Sequence, residues 1–591
     1  MIKGGEFLIK DQEAKDIFIP EEFGEDQLMM ASATKEFVEK ELDLHRERFE
    51  KKDYKLTEDC MKKAGELGLL GISVPAEYGG MGMPFNTSVL ICDKISGANG
   101  SFSTAFGAHT GIGTLPILLY GDDAQRTKYL PKLASGEWMG CYCLTEPGAG
   151  SDANSGKTKA VLTDDGKHYL ITGQKMWISN AGFADVFIVF ARIEDDKNIT
   201  GFILEKGMEG ITLGEEEQKL GLNSSSTRQV FFNDVKVPVE NLLGGRGNGF
   251  KIAMNALNVG RIKLSAAVLD ACRRVIGLST NYSNERIQFG IPIAKFGAIK
   301  HKLADMAVRT YAIESATYRA GAEIEKNILR LESEGVDHQE AHLKGIEEYA
   351  IECSIVKVLG SETIQFCSDE GIQIYGGMGY SADAPMEAAY RDARIARIYE
   401  GTNEINRMLL VGMILKKAMK GELDIMGPAM KVDESLMSIP SFDKPDNSVL
   451  FEVEKEQIKK LKKAILMCAG KAAQHFAMTI EREQEVLMNL ADMVIEVYTA
   501  ESAILRAEKL ATKKGGQETE HQIAMSKLYL YQAIKNCNQS GEEVILSFAE
   551  GDEQRMLLMG LKRFTKGYTI NPKEMRRNIA NKLIEENRYC F

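Results

Sequence analysis

Residues 157–172 read KTKAVLTDDGKHYLIT. The runs 157–162 and 169–172 are short and strand-like, and Asp164-Asp165-Gly166 between them has turn chemistry. Working outward, residues 185–193, 201–205 and 229–232 continue the same texture. Residues 138–248 are therefore expected to form a compact β domain. The flanks read differently. Amphipathic stretches such as 56–70 alternate with glycine breaks such as Gly79-Gly80-Met81-Gly82, and helical periodicity returns after Gly249. The expected fold class is mainly α with a central β domain. An N-terminal extension (1–26) and a helical domain (27–137) precede it, and a second helical domain (249–420) follows. Residues 421–449, with Pro428, Pro440 and Pro445 among polar residues, read as a linker to a further helical block at 450–591.

The chain has 591 residues, enough for several domains, and carries 85 acidic against 73 basic side chains for a net charge of −12. That sign disfavours nucleic acid as a partner. The N-terminus, MIKGGEFLIKDQEAKDIF, lacks the apolar core of a secretory signal, and its acidic residues disfavour a transit peptide. No apolar run is long enough to span a bilayer. The cysteines lie far apart except Cys141 and Cys143, so neither a disulfide framework nor a zinc site emerges. A cytoplasmic location is expected.

The last block contains an echo. LADMAVRTYAIESATYRA begins at Leu303 and LADMVIEVYTAESAILRA at Leu490, with ten of eighteen positions identical. Generic helical periodicity explains shared apolar positions. It does not explain the shared pairs Asp305/Asp492, Glu314/Glu501, Ser315/Ser502 and Arg319/Arg506. A degenerate duplication is expected, and a structural one, because nothing after Leu490 repeats the sequence Tyr399-Glu400-Gly401-Thr402.

Residues that can carry chemistry fall in separate places. GAGSDA at 148–153 formally matches a dinucleotide fingerprint, but Pro147 interrupts the entry and strand-like sequence follows, so no βαβ unit frames it. What remains is either a plain turn or a loop that brings backbone N–H groups to a flat polar ring or a phosphate. Trp177-Ile178-Ser179-Asn180 offers either a core aromatic or a plate against an aromatic ligand. RIQFG at 286–290 and QIYGGMGY at 373–380 lie where helices end. Their glycines permit close backbone approach or simply stop a helix. Residues 391–404, RDARIARIYEGTNE, put Glu400 on a glycine-hinged turn, with Thr402 or Asn403 as the cap of the next helix. A carboxylate there is either a solvated loop residue or, in an apolar pocket, a strengthened base. His338 and His342 are spaced to grip a metal but show no third ligand, so no metal is expected.

Together the segments YCLTEPGAGSD, WISN, ERIQFG, QIYGGMGY and RIYEGTNEI resemble the acyl-CoA dehydrogenase family over residues 28–418. The resemblance implies a helical N-terminal domain, a β-barrel middle domain and a four-helix-type C-terminal domain, with FAD between them. It implies Tyr142, Leu144, Thr145, Gly150 and Ser151 on one side of the flavin and Trp177 and Ser179 on the other. Arg286, Gln288, Phe289, Gln373, Gly376 and Gly377 would reach the FAD of a neighbouring subunit, and Thr402 and Glu404 would touch the flavin or its phosphates. Ser151, Arg261, Tyr399 and Gly401 would meet the substrate. Glu400 matches the family's usual base. Some members carry the base on the helix that here contains residue 260, which is glycine. The appended block resembles the very-long-chain subgroup, which implies a homodimer and a peripheral membrane contact. Residues 556–563, with Lys562, read as a basic amphipathic patch.

The chemistry implied is removal of the α proton of an acyl-CoA by Glu400 while the β hydrogen leaves as hydride to the flavin. A trans-2-enoyl-CoA results, and the electrons pass to an electron-transferring flavoprotein. The alternatives are an acyl-CoA oxidase and a flavin-bearing assembly or scaffold protein.

Overall fold

A computed structural model describes residues 2–97, 99–436, 446 and 448–591. Helices dominate both flanks, and their ends follow local chemistry. In Tyr54–Glu66 the Asp53 side chain accepts the Leu56 N–H at 3.0 Å, Leu56, Cys60, Met61 and Ala64 line the buried face, and Gly68 leaves in the left-handed region.

The middle domain contains strands β1 (Gly140–Cys143), β2 (Lys159–Leu162), β3 (His168–Ser179), β4 (Val186–Ile193), β5 (Thr200–Glu205), β6 (Ile211–Glu216), β7 (Thr227–Pro238) and β8 (Leu242–Leu243). They form one sheet in the order β6-β7-β3-β2-β4-β5-β8, with β1 paired parallel to β4. The sheet encloses Cys141, Cys143, Ile171, Phe187, Val189, Phe202, Val230 and Val237. Because side chains alternate along a strand, β1 turns Cys141 and Cys143 into this core and Tyr142 toward the helical domains. His109, buried in the N-terminal domain, accepts the Gly140 N–H at 3.0 Å and fixes the entry to β1.

The helices Gly249–Ala266, Leu269–Glu285, Gly297–Ser333 and Ala350–Tyr375 pack together, and Asn403–Met419 lies on the last of them. The segment expected as a linker carries a helix, Met426–Leu436, whose Val432 is buried and whose Asp433 pairs with Lys471 at 2.9 Å. Pro428 falls in its first turn, where a missing N–H costs little. Pro440 and Pro445 lie outside the described residues.

The echo has a structural counterpart. The Arg319 guanidinium donates to Ser502 at 2.9 Å and Glu501 at 3.0 Å and covers the Tyr498 ring at 4.5 Å. The Arg506 guanidinium donates to Ser315 at 3.3 Å and Glu314 at 2.7 Å and covers the Tyr311 ring at 4.4 Å. Asp305 accepts from Arg576 at 2.6 Å, and Asp492 from Arg407 at 2.7 Å. Helices Gly297–Ser333 and Gln484–Lys514 thus exchange the same contacts reciprocally, as two copies do across a two-fold axis. The N-terminal extension closes this interface. Glu21 pairs with Arg506, Gln12 with Arg319, and Phe7 packs edge-on to Tyr498.

Residues 556–563 use one face of their helix internally, with Met559 and Lys562 on the exposed side. They belong to helix Gly551–Thr565, whose Leu557, Gly560, Leu561 and Phe564 are buried in this chain, leaving Met559 exposed. The apolar face is already used internally. Among the described residues no helix is long and apolar enough to cross a membrane.

Candidate active site

Glu400 follows the short 3-10 helix Arg394–Arg397 and adopts the left-handed region at φ 59°, with Gly401 at φ 82°. A non-glycine residue held there is strained, and the surroundings must hold it. Asn406 does so from the next helix. Its Nδ2 donates to the carbonyls of Gly401 at 2.8 Å and Thr402 at 3.0 Å. Thr402 caps that helix by accepting the Ile405 N–H at 3.2 Å.

The carboxylate points inward. Its Oε2 is shielded from solvent and has no hydrogen-bond partner among the described residues. A Cβ on residue 260 would lie 2.5 Å from that oxygen, so Gly260 makes room for the Glu400 carboxylate. Burial pushes Glu400 up to about 7, against the opposing pull of Arg261 and Lys357. Arg261 is buried, donates to Asn258 at 2.8 Å and approaches the Glu400 carbonyl at 3.3 Å. Burial also pushes Tyr399 up to about 12, with Thr104 beside it pulling the other way. Tyr142 faces the same pocket. Its hydroxyl is buried without a partner among the described residues, and burial together with the Glu400 charge raises it well above the ordinary phenol value. Glu400, Tyr142, Arg261, Tyr399 and Gly401 therefore share one neighbourhood, with Leu144 one strand position-pair beyond Tyr142 and also buried.

The loop after β1 is shaped by a buried ion pair. Lys175 reaches Glu146 at 2.6 Å and the Leu144 carbonyl at 3.1 Å, and Glu146 accepts the N–H groups of Lys157 and Thr158. Thr145 is half-buried, whereas Gly150 and Ser151 are exposed, and a Cβ at Gly148 or Gly150 would meet nothing. These glycines leave open space over the loop. Trp177 sits at a register shift in β3 with φ 59° and is 51 % exposed, so it is not a core aromatic. Ser179 is half-buried beside it, and Asn180 is buried, donating to the Ala105 carbonyl at 2.9 Å.

The remaining candidates form a separate surface. Arg286, Gln288 and Phe289 lie on the hairpin of Ile287–Gln288 and Ile291–Pro292, with Phe289 94 % exposed. Tyr282 stacks on Tyr375 at 4.0 Å, which brings the hairpin beside the exposed Gln373, Gly376 and Gly377 and beside Tyr380, 85 % exposed. Glu404 is exposed on the first turn of Asn403–Met419, where backbone N–H and the Thr402 hydroxyl hold its carboxyl below the usual range. His338 and His342 do meet a third group, Glu332. The approach is accounted for by a hydrogen bond from His338 Nδ1 to Glu332 at 2.6 Å.

Sequence reasoning missed Lys357 and Asn406, and named Asn403 only as a candidate cap, a role that Thr402 takes. Lys357 donates to the Gly401 carbonyl at 2.6 Å and to Asn403 Oδ1 at 2.8 Å. Its one sequence signal is a lysine in an otherwise apolar stretch, SIVKVLG at 354–360.

Comparison with known proteins bears on the whole chain. Models described as the N-terminal, middle and C-terminal domains of acyl-CoA dehydrogenase match residues 24–137, 141–235 and 247–415. A further one, also described as an acyl-CoA dehydrogenase C-terminal domain, matches residues 460–563. A probable acyl-CoA dehydrogenase of Bacillus subtilis (strain 168) is 44 % identical over 587 residues, covering 99 % of this chain and 98 % of its own. The mitochondrial very long-chain specific acyl-CoA dehydrogenase of Rattus norvegicus is 32 % identical over 545 residues, 88 % of this chain and 79 % of its own. The crystal structure of an acyl-CoA dehydrogenase complexed with FAD from Bacillus anthracis superposes with a TM-score of 0.96 at 42 % identity, covering 100 % of both chains.

Proposed function

The chain belongs to the flavin-dependent acyl-CoA dehydrogenase family, and from that premise we propose that it oxidises long-chain acyl-CoA to trans-2-enoyl-CoA with Glu400 as the base. The observation that carries the reading is the solvent-shielded, unpartnered Glu400 Oε2 resting on Gly260.

The residues fit FAD. Tyr142 presents a buried hydroxyl with no partner, Trp177 stands out of β3 at a register shift, and the loop glycines leave open space between. FAD, when bound, supplies an acceptor for the hydride that leaves the β carbon. Everything else falls to the chain. The Arg261–Asn406 scaffold holds Glu400 in a strained turn, and desolvation makes the carboxylate basic enough to take an α proton near neutral pH. Glu400 Oε2 receives that proton. The exposed hairpin at 286–289 and the turn at 376–377 are assigned to the FAD of a second copy, which makes the functional unit a homodimer.

The long-chain assignment is supported by the wall beside Tyr399. Thr104 and Gly107 lie one turn apart on helix Gly100–Gly107, and a Cβ at Gly107, or at Gly111 in the π-helical turn that follows, would meet nothing within 4 Å. The electron acceptor is assigned as an electron-transferring flavoprotein. Membrane contact is not part of this reading, because the patch at 556–563 is used internally.

Anaerobic mixing of the FAD-loaded protein with palmitoyl-CoA tests the reaction. Loss of the yellow colour that persists when air is admitted is the expected result. Fast recovery in air would make the protein an oxidase, and a colour that never fades would make it a scaffold.

A further inference from the structure

We propose that the appended helical domain positions the catalytic turn, through a polar chain that runs from Asp492 by way of Arg407, Glu362 and Asn403 to Lys357. The proposal rests on Glu400 being the base and assigns the control of its placement.

Each link is a direct contact. Asp492, on helix Gln484–Lys514 of the appended domain, accepts from Arg407 Nε at 2.7 Å. Arg407 Nη1 donates to Glu362 Oε1 at 2.8 Å. The same oxygen accepts from Asn403 Nδ2 at 3.0 Å. Asn403 Oδ1 accepts from Lys357 Nζ at 2.8 Å, and Lys357 Nζ also donates to the Gly401 carbonyl at 2.6 Å. The chain therefore ends on the residue after Glu400.

Two features separate this chain from an ordinary interdomain ion pair. First, it ends on a turn that needs restraint, since Glu400 and Gly401 both adopt left-handed backbone. Second, among the described residues the Lys357 ammonium hydrogen-bonds only the Gly401 carbonyl and Asn403, and it lies within the electrostatic reach of Glu400 along with Arg261, Glu362 and Glu404. Burial pushes Lys357 down to about 7; Glu400, Glu362 and Glu404 favour its charge and Arg261 opposes it. Lys357 and Asp492 are positioning residues, because neither takes the substrate proton.

The test uses the FAD-loaded full chain in anaerobic single turnovers with palmitoyl-CoA, on Asp492→Asn, Asp492→Glu, Lys357→Met, Lys357→Arg and Glu400→Gln. Asp492→Asn should slow bleaching about tenfold at unchanged KM and FAD content, with Asp492→Glu restoring it. Lys357→Met should slow it roughly a hundredfold. It should also move the acid limb of the rate to higher pH, because a cation that stabilises the Glu400 carboxylate is gone. Lys357→Arg should return the limb. Amide exchange in residues 398–407 should quicken in Asp492→Asn. Normal bleaching and normal exchange in Asp492→Asn and Lys357→Met, with Glu400→Gln silent, would reject the chain while leaving the base intact. A lower melting temperature in Asp492→Asn without a slower rate would also reject it. Bleaching by Glu400→Gln would instead reject the base. Asp492 is at the surface edge of the contact, so its variants carry the test if Lys357→Met fails to fold.

Discussion

A glutamate takes a proton from carbon only if its own conjugate acid is not too strong. An ordinary side chain with a pKa of about 4.3 is a poor base for this. Here burial carries Glu400 to about 7, and the nearby cations stop it going further. The balance sets a pH dependence with a definite sign. Only the carboxylate accepts the proton, so kcat/KM, which reports the free enzyme, should rise with pH through about 7 and level above it. A rate that is flat from acid to neutral pH would mean that Glu400 is solvated. The identity of this residue was legible in the sequence because the turn motif and its apolar approach are contiguous. Gly260 was legible only as a missing base, and its second role as the berth for Oε2 needed coordinates. Lys357 and Asn406 were not legible, and Asn403 was legible only as a candidate cap. They act through carbonyls brought together by folding, and lysine or asparagine on a helix announces nothing by itself.

At the scale of elements, the sequence showed the β texture and the helical flanks, but not every strand. β6 reads ITLGEE and ends in acids, and β1 reads GCYC and is short, so neither announces a strand. Pairing with neighbours decides both. The outward turn of Trp177 was equally hidden, because it depends on a register shift between β3 and β7. The helix Met426–Leu436 escaped notice because proline in a first turn looks like proline in a linker. The helical wall at Gly100–Gly107 gives a prediction of its own. Gly107→Leu should put a side chain into the open space beside Gly107. Activity on palmitoyl-CoA should drop by about 10–200-fold while butyryl-CoA is still turned over. Equal losses on both substrates in steady-state assays would show that Gly107 does not border the acyl chain.

Across the whole molecule, two related helical halves meet through reciprocal arginines. The repeat was legible as an eighteen-residue echo, yet its consequence, that each copy's arginine seeks the other's glutamate and serine, was not. Both guanidinium groups are buried, so each depends on its partners. Arg319→Met leaves Glu323 in the interface with only the Tyr498 hydroxyl and Glu501 with only Lys462, and should cost about 3–5 kcal/mol of stability, read as a fall in the denaturant midpoint of the FAD-loaded protein. Arg319→Met combined with Glu501→Leu should recover part of the loss. An unchanged midpoint in the single variant would show that the interface is wetter than its contacts imply. The central claim concerns the base itself, and one measurement tests it most directly. FAD-loaded Glu400→Gln is mixed with palmitoyl-CoA without oxygen and its flavin absorbance followed beside the parent. The variant should keep its FAD and stay yellow, with bleaching slower by about 10²–10⁴-fold. Bleaching at the parental rate would contradict the account.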